Sequence, residues 1–84
     1  MDREEVLAAI QGVAVEVLSV ESSQVTEGAR FKEDLEADSL DLVELVMALE
    51  ESFDISVPEE DLEGVATVGQ AVDLVLDKAR PPVA

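Results

Sequence analysis

Apolar residues near the start of the chain recur at intervals of three and four positions. The run starts at Val6 and comprises Val6, Leu7, Ile10, Val13, Ala14, Val17 and Leu18. This spacing predicts an amphipathic helix over residues 2–18. Asp2 and Glu4 stand in its first turn, where carboxylates complement the positive end of the helix dipole.

The next segment, residues 19–37, shows no sustained periodicity. It contains several Ser, Thr and Gly residues, a composition that is typical of a connection between helices. A connection of this length inside a small domain needs its own anchors. We expect Val25, Phe31 and Leu35 to pack beneath the helices and to leave the nearby carboxylates in water, namely Asp34, Glu36 and Asp38.

A second helix is predicted over residues 39–53, and its apolar set is too wide for a single stripe. Asp38 and Ser39, at its start, are residue types that cap helices well. One apolar face carries Leu42, Leu45, Val46, Leu49 and Phe53. A second face carries Leu40, Val43 and Met47. If the first face meets the core, the second lies at the surface.

Pro58 ends an extended link after the second helix, because the residue before a proline avoids the helical region. A short helix is predicted at 59–63 and a tail at 81–84. A last helix is predicted at 67–80, with Thr67 as its first residue or its cap. The inward stripe of the last helix is formed by Val68, Ala71, Val72, Val75 and Leu76. The predicted fold is all-α: a small four-helix bundle of three longer helices and one short helix, with a long loop between the first two.

The charge of the chain narrows the range of its partners. Its 84 residues include 21 acidic and 5 basic side chains, which gives a formal net charge of −16. No basic residue stands between Lys32 and Lys78. Such a charge repels nucleic acid and anionic membranes, and it favours partners that present basic patches.

Length and composition predict one small domain, residues 1–84, which we expect to be a monomer. The chain has no Cys, so disulfides and thiolate chemistry are excluded, and a reducing intracellular compartment is the natural setting. Its start does not follow the pattern of a signal peptide, and no stretch approaches the roughly 20 apolar residues of a membrane span. We therefore expect a soluble cytoplasmic protein without stable membrane association.

Ser39 is the most informative residue of the chain. A serine hydroxyl is a weak nucleophile unless a neighbouring base takes its proton, and the chain contains no His, Cys or Tyr. An enzyme is therefore not expected. Ser39 has the character of an attachment point whose chemistry is performed by another protein.

The segment around Ser39 carries a family resemblance. From Asp34 to Glu50 it reads DLEADSLDLVELVMALE, and shorter runs continue the pattern at 53–55, 58–61 and 67–72. In an acidic chain with four predicted helices, these motifs closely resemble acyl carrier proteins. The resemblance covers most of residues 31–76 and is weak in the first helix and the tail.

The resemblance implies a cofactor. In that family the matching serine carries 4′-phosphopantetheine, which a phosphopantetheinyl transferase adds from coenzyme A and whose thiol holds acyl groups as thioesters. The corresponding residue here is Ser39, and backbone N–H groups at a helix start favour a phosphate. Asp38 matches the aspartate that helps to present the serine and its metal to the transferase. Plain helix capping is the alternative for Asp38, and the two roles are compatible.

The resemblance also implies a docking surface on the second helix. An apolar stripe rimmed by acids would meet basic patches of partner enzymes through Leu40, Asp41, Val43, Glu44, Met47, Glu50 and Glu51. The alternative is a core helix whose acids are simply solvated. Two apolar faces on one helix favour docking, because a small bundle buries only one of them.

A further set of apolar residues is most simply interpreted as core. In the family, matching positions also line a pocket that shelters the acyl chain, and we expect both roles here. The residues are Leu45, Val46, Leu49, Phe53, Ile55, Leu62, Val65, Val68 and Val72.

Two details qualify the resemblance. The acids around Ser39 do not form an EF-hand, because a loop starting at Asp34 has Ser39 at its glycine position and Leu45 at its bidentate glutamate position. No dedicated metal site is predicted.

Glu36 stands where the family motif has glycine or another small or short residue. It adds charge beside Ser39, and we expect it to change either the choice of partner or the shape of the loop.

The leading hypothesis is a freestanding acyl carrier protein that shuttles growing acyl chains on Ser39 between enzymes of fatty-acid biosynthesis. The strong negative charge and the acidic second helix favour this pathway. A carrier of a polyketide or specialised-lipid pathway is the close alternative. An acidic helical adaptor without a prosthetic group is the alternative from another class.

Overall fold

The computed structural model describes residues 2–79, without the side chains of Glu59 and Ala79. The α-helices are α1 Arg3–Leu18, α2 Ser39–Phe53, α3 Glu59–Leu62 and α4 Val68–Ala79. The predicted all-α fold of three longer helices and one short helix is confirmed. A 3₁₀ turn at Ser22–Gln24, inside the long loop, was not predicted. Arg80 and the predicted tail 81–84 lie outside the described residues.

Side-chain caps fix where α1 and α4 begin. The Asp2 carboxylate accepts a hydrogen bond from the backbone N–H of Glu5, at 3.1 Å. Thr67, predicted as the first residue of the last helix or as its cap, is the cap. Its Oγ1 accepts from the Gln70 N–H at 3.2 Å, and the Gln70 side chain accepts from the Thr67 N–H at 3.0 Å. This reciprocal pair satisfies donors that a helix start otherwise leaves unpaired.

The core lies where α1 packs against both α2 and α4. The helices contribute Val6, Ile10, Ala14, Leu45, Leu49, Val68, Ala71, Val72 and Val75 to it. The long loop contributes Val25, Ala29, Phe31, Leu35 and Ala37. The three anchors predicted in the loop are thus buried. The loop is therefore part of the core, and its buried side chains hold residues 19–37 in place although the segment contains no long helix.

Backbone hydrogen bonds join the loop to the start of α4. The N–H of Phe31 donates to Ala66 O at 3.0 Å, and the N–H of Val68 donates to Ala29 O at 2.9 Å. Between them, Arg30 and Thr67 form an isolated antiparallel bridge. The sequence pattern did not reveal this pairing, because neither segment has the alternation of a strand and the contact joins distant parts of the chain.

Arg3 adds ion pairs to the backbone hydrogen bonds that join the loop to α4. Its guanidinium forms ion pairs with Glu27 of the loop and Asp73 of α4. The two carboxylates raise the pKa of Arg3, first through the hydrogen bond with Glu27 and then through that with Asp73. One side chain of α1 thereby links three parts of the fold on an exposed surface.

Gly69 allows the loop to approach α4 closely. Its N–H donates to Glu27 O at 2.8 Å, and a Cβ atom on Gly69 would lie only 3.0 Å from that same oxygen. We expect Gly69→Ala to lower the free energy of unfolding by about 1 kcal/mol, because the strain of overpacking exceeds the gain in helix propensity. Thermal unfolding followed by circular dichroism measures the change.

Gly12 provides the matched control for that substitution. It is an exposed glycine inside α1, and apart from its chain neighbours and the backbone of its own helix no atom lies within 4 Å of the position of an added Cβ. Gly12→Ala is expected to stabilise the protein by about 0.5–1 kcal/mol, since alanine loses less backbone entropy in a helix. Equal effects of the two substitutions would contradict a close-approach role for Gly69.

Candidate functional site

The start of α2 is closed by a reciprocal cap that does not involve Ser39. The Asp38 carboxylate accepts from the Asp41 N–H at 2.8 Å, and the Asp41 carboxylate accepts from the Asp38 N–H at 3.3 Å. Asp38 has extended backbone angles, as an N-cap residue requires. Capping is therefore an observed role of Asp38, and Ser39 is the first residue of the helix proper.

Ser39 is exposed, and its side chain makes no hydrogen bond with any of the residues that the structure describes. Within the same range, no acceptor pairs with the backbone N–H groups of Ser39 or Leu40. These orphan donors and the helix dipole favour an anionic group at this end of α2. The local structure thus fits a phosphodiester on the Ser39 oxygen, although Asp38 and Asp41 add negative charge nearby.

The loop that leads to Ser39 is held in place by its own contacts. Leu35 and Ala37 are buried, and the Ala37 N–H donates to Phe31 O at 2.8 Å. Asp34 accepts from the backbone and the side chain of Arg30, at 2.8 and 3.2 Å. These hydrogen bonds lower the pKa of the Asp34 carboxyl. Buried residues and hydrogen bonds therefore hold the loop that precedes Ser39, while the Ser39 side chain faces water.

Glu36 adopts the left-handed backbone conformation, with φ at 55°. This region is unfavourable for a residue with a Cβ atom and is readily accessible to glycine. The family preference for glycine at this position thus has a conformational basis in the present loop. Glu36 adopts the same turn, and its backbone is strained because the side chain carries a Cβ atom.

Replacing Glu36 with glycine is expected to stabilise the protein. Relief of the left-handed strain exceeds the added entropy of the unfolded chain, so we expect Glu36→Gly to be about 1 kcal/mol more stable than Glu36→Ala. The alanine variant is the control because it removes the same charge and keeps the Cβ atom. Urea unfolding of both variants measures the difference, and equal stabilities would contradict the strain at this position.

An exposed apolar stripe runs along α2 from its start. Leu40 and Met47 are 66% and 57% exposed, and Val43 between them is also exposed. Leu45 and Leu49, on the opposite face, are buried. The structure thus separates the two apolar faces as their spacing predicts, and it leaves the stripe at Leu40, Val43 and Met47 uncovered.

The acids assigned to the docking surface differ in their surroundings. Glu44 and Glu51 are exposed. Asp41 belongs to the helix cap, and the Glu50 carboxylate accepts from the Val57 N–H at 2.9 Å. Asp41 and Glu50 therefore have structural contacts, whereas Glu44 and Glu51 are the acids whose side chains remain fully available to a partner.

An apolar cavity of about 30 Å³ lies between α2, α4 and the segment around α3. Five residues of the predicted pocket line it: Leu45, Val46, Leu49, Leu62 and Val65. The other four do not. Val68 and Val72 are fully buried within the core, and Phe53 and Ile55 pack against it from the side.

The remaining cavity lining was missed from the sequence. It consists of Phe31, Leu42, Val57, Ala71, Leu74 and Val75. Leu74 had a usable signal, because it follows Ala71 by three positions and shares a helix face with it. Phe31 comes from the loop, whose path no periodicity reports. A second cleft, of about 180 Å³, shares Phe31, Leu42 and Val65 with the cavity and reaches the surface beside Lys32 and Glu63.

Two further features of residues 2–79 bear on other classes of function. No group of three or more His, Cys, Asp or Glu side chains in this range could hold a metal ion. No helix in the described part of the chain has the length and apolar character needed to cross a membrane.

Comparison with known proteins assigns the family. The family described as "Phosphopantetheine attachment site" matches residues 8–75, which include Ser39. The chain belongs to the phosphopantetheine-binding acyl carrier protein family. It is 54% identical over 77 residues to an acyl carrier protein of Rubrobacter xylanophilus, with 92% of this chain and 95% of the relative covered. It is 55% identical over 75 residues to an acyl carrier protein of Prochlorococcus marinus, with 89% and 94% covered.

Solved structures of acyl carrier proteins share the fold. One from Enterococcus faecalis has a TM-score of 0.76 and 38% identity, with 93% of this chain and 99% of that chain covered. One from Thermotoga maritima has a TM-score of 0.81 and 31% identity, with 93% and 91% covered. The prediction of a carrier protein is confirmed. The protein is a carrier and not an enzyme, and its prosthetic group is phosphopantetheine.

Proposed function

We propose that Ser39 carries the 4′-phosphopantetheine arm and that the protein shuttles growing acyl chains between enzymes of fatty-acid biosynthesis. The observation that carries the proposal is the exposed Ser39 side chain at the first residue of α2, which the helix cap does not use. The arm supplies a thiol that this Cys-free chain cannot supply itself. The apolar cavity is a site that a hydrocarbon chain could enter once the cavity widens, and the exposed stripe on α2 provides a surface for partner enzymes.

The experiment that tests this proposal is an intact-mass measurement followed by identification of the modified peptide. The purified protein is incubated with coenzyme A, magnesium and a broad-specificity phosphopantetheinyl transferase. We expect one arm per chain, located on Ser39. No addition, with the transferase active on another carrier, would contradict the proposal and favour an acidic adaptor or a carrier that needs a dedicated transferase.

The acyl groups that accumulate on the protein in cells test the pathway. The apolar cavity lining favours hydrocarbon chains, and the acidic surface favours enzymes with basic docking patches. Straight-chain acyl groups of graded length are the expected result. Polyketide intermediates would instead support the alternative pathway.

We further propose that partner enzymes, including the transferase, dock on α2 through a surface of seven residues. The stripe provides apolar area, and the exposed acids Glu44 and Glu51 provide attraction to basic patches. Asp41 and Glu50 contribute charge while they hold the cap and the Val57 N–H. The members of the surface are Leu40, Asp41, Val43, Glu44, Met47, Glu50 and Glu51.

Reversing the charge of Glu44 is expected to slow modification of Ser39. Glu44→Lys places a cation beside the stripe, so we expect kcat/KM of the transferase to fall about tenfold at low salt and less at high salt. Glu16→Lys is the matched control, because Glu16 is exposed on α1 and the change in net charge is the same. Equal losses in the two variants would show that net charge matters and that the α2 surface does not.

Asp38 contributes to this proposed function in two ways. Its Oδ1 atom holds the Asp41 N–H and so fixes the start of α2 beside the serine. Its carboxylate also adds negative charge next to Ser39, where a transferase would bring a divalent cation together with coenzyme A. We assign Asp38 a role in presenting Ser39 to the transferase in addition to its role as a cap.

The setting we propose for this activity is the cytoplasm, with the protein as a monomer. Fast and weak encounters with several enzymes suit a small acidic carrier, because opposite charges accelerate association without requiring tight complexes. The absence of Cys from the sequence is consistent with a reducing compartment.

A further inference from the structure

The cavity is too small to hold an acyl chain as it stands. A volume of about 30 Å³ is far below the roughly 150 Å³ of a cavity that admits benzene, and so it is too small for a chain of several methylenes. A wall of the cavity must therefore move outward when a chain enters. This inference rests on the proposed function of sheltering an acyl chain.

The segment around α3 is the wall that moves most easily. α2 and α4 both pack against α1, and each contributes buried residues to the core. Between residues 54 and 65 no side chain that the structure describes is fully buried, and α3 itself spans only Glu59–Leu62. Segments with little buried apolar surface open at a lower free-energy cost than the core.

An ion pair fastens this segment to α4. The ammonium of Lys78 lies 2.9 Å from Oδ2 of Asp61, and the two side chains are 31% and 34% exposed. Lys78 also shares a face of α4 with the cavity residues Ala71, Leu74 and Val75, at helical intervals of three, four and seven positions. The pair thus spans the gap between α4 and α3 beside the cavity.

The Asp61 oxygen in this pair depends on Lys78. Oδ2 is shielded from solvent, and no residue in the described range gives it a hydrogen bond of normal geometry. The nearby ammonium is therefore the group that compensates its charge. Without that ammonium, the shielded carboxylate oxygen would regain water if α3 moved away from α4.

We infer that the Asp61–Lys78 pair is a latch that holds α3 closed over the cavity and so controls the entry and release of the acyl chain. Both residues are positioning residues that act on the cavity wall and touch neither the arm nor the thioester. Breaking the Asp61–Lys78 pair lets α3 move and exposes the sheltered chain. Replacing the pair with apolar side chains keeps α3 closed over the cavity.

The test compares Lys78→Met with wild type. Lys32→Met is the control, because it removes one exposed cation from the rim of the adjoining cleft and leaves the Asp61–Lys78 pair intact. Amide hydrogen exchange is measured in the arm-bearing protein. We expect exchange in residues 55–65 to rise about threefold in Lys78→Met, in line with a partly exposed ion pair, and to stay unchanged in α1. A uniform rise along the chain, or no difference between the two variants, would overturn the latch.

A second readout reports on the chain itself. Arm-bearing protein is loaded with octanoyl or acetyl groups, and the thioesters are cleaved with hydroxylamine. We expect Lys78→Met to accelerate cleavage of the octanoyl thioester about threefold and to leave the acetyl thioester, whose chain is too short to reach the cavity, unchanged. The double variant Asp61→Leu with Lys78→Met should restore protection, because two apolar side chains replace the pair. Equal acceleration of both thioesters would contradict control of the cavity.

Failure of the latch and failure of the proposed function give different results. Wild-type octanoyl and acetyl thioesters that react at the same rate would contradict the sheltering of the chain. In that case hydrogen exchange in residues 55–65 of the protein without its arm still decides whether Lys78 holds α3.

Discussion

Ser39→Ala is expected to abolish uptake of the phosphopantetheine arm and to leave the fold intact. The hydroxyl oxygen is the atom that would form the phosphodiester, and alanine has no substitute for it. The helix cap survives because Asp38 and Asp41 form it. Ser39 is exposed, so the free energy of unfolding should change by no more than about 0.5 kcal/mol. Intact mass and thermal unfolding provide the two measurements.

Ser52→Ala is the matched control for this substitution. Ser52 is an exposed serine on the same helix, thirteen positions after Ser39. The control should take up one arm at the wild-type rate. An arm on Ser39→Ala would place the attachment at another residue, and loss of folding in that variant would show that Ser39 has a structural role that its contacts do not reveal.

The candidate site was predicted from the sequence where local rules determine structure. Asp38 and Ser39 are placed by capping preferences, and α2 begins at Ser39 as those preferences indicate. The exposed stripe follows from the width of the apolar set on one helix. The internal contact of Glu50 was not predictable in this way, because its partner, the Val57 N–H, lies beyond the end of the helix.

The cavity was predicted less completely because it is built from several segments. Spacing on α2 identified Leu45 and Leu49, but spacing does not say which helix face meets which neighbour. Val72 was assigned to the cavity and is packed in the core, whereas Leu74 was left out and lines it. Tertiary packing decides between such neighbours, and no local pattern contains that information.

The loop at residues 19–37 was likewise predicted only in part, because local patterns do not report contacts between distant residues. Its apolar anchors were recognisable as isolated hydrophobic residues in a polar segment, and they are buried. Its bridge to Thr67 and the approach of Glu27 to Gly69 depend on contacts between distant residues. The left-handed conformation of Glu36 was also hidden, since glutamate gives no sign of a positive φ.

Phe31→Ala is expected to produce the largest loss of stability among single substitutions in the loop. Phe31 is 1% exposed and lines both the cavity and the adjoining cleft. Removing a buried phenylalanine ring costs about 3–5 kcal/mol. A domain of 84 residues has a total stability of about 4–13 kcal/mol, so the variant should retain only part of its folded population at the low end of that range.

The two phenylalanines of the chain allow a matched comparison. Phe53 ends α2, is only partly buried and does not line the cavity, so Phe53→Ala should cost about 1–2 kcal/mol. Phe31→Leu keeps most of the apolar volume and should remain folded, with a loss of about 1–1.5 kcal/mol. Urea unfolding of the three variants measures the series. If Phe53→Ala were as costly as Phe31→Ala, the loop would not be the central anchor that its burial indicates. A loss in Phe31→Leu as large as that in Phe31→Ala would assign the stability to the ring shape rather than to the buried volume.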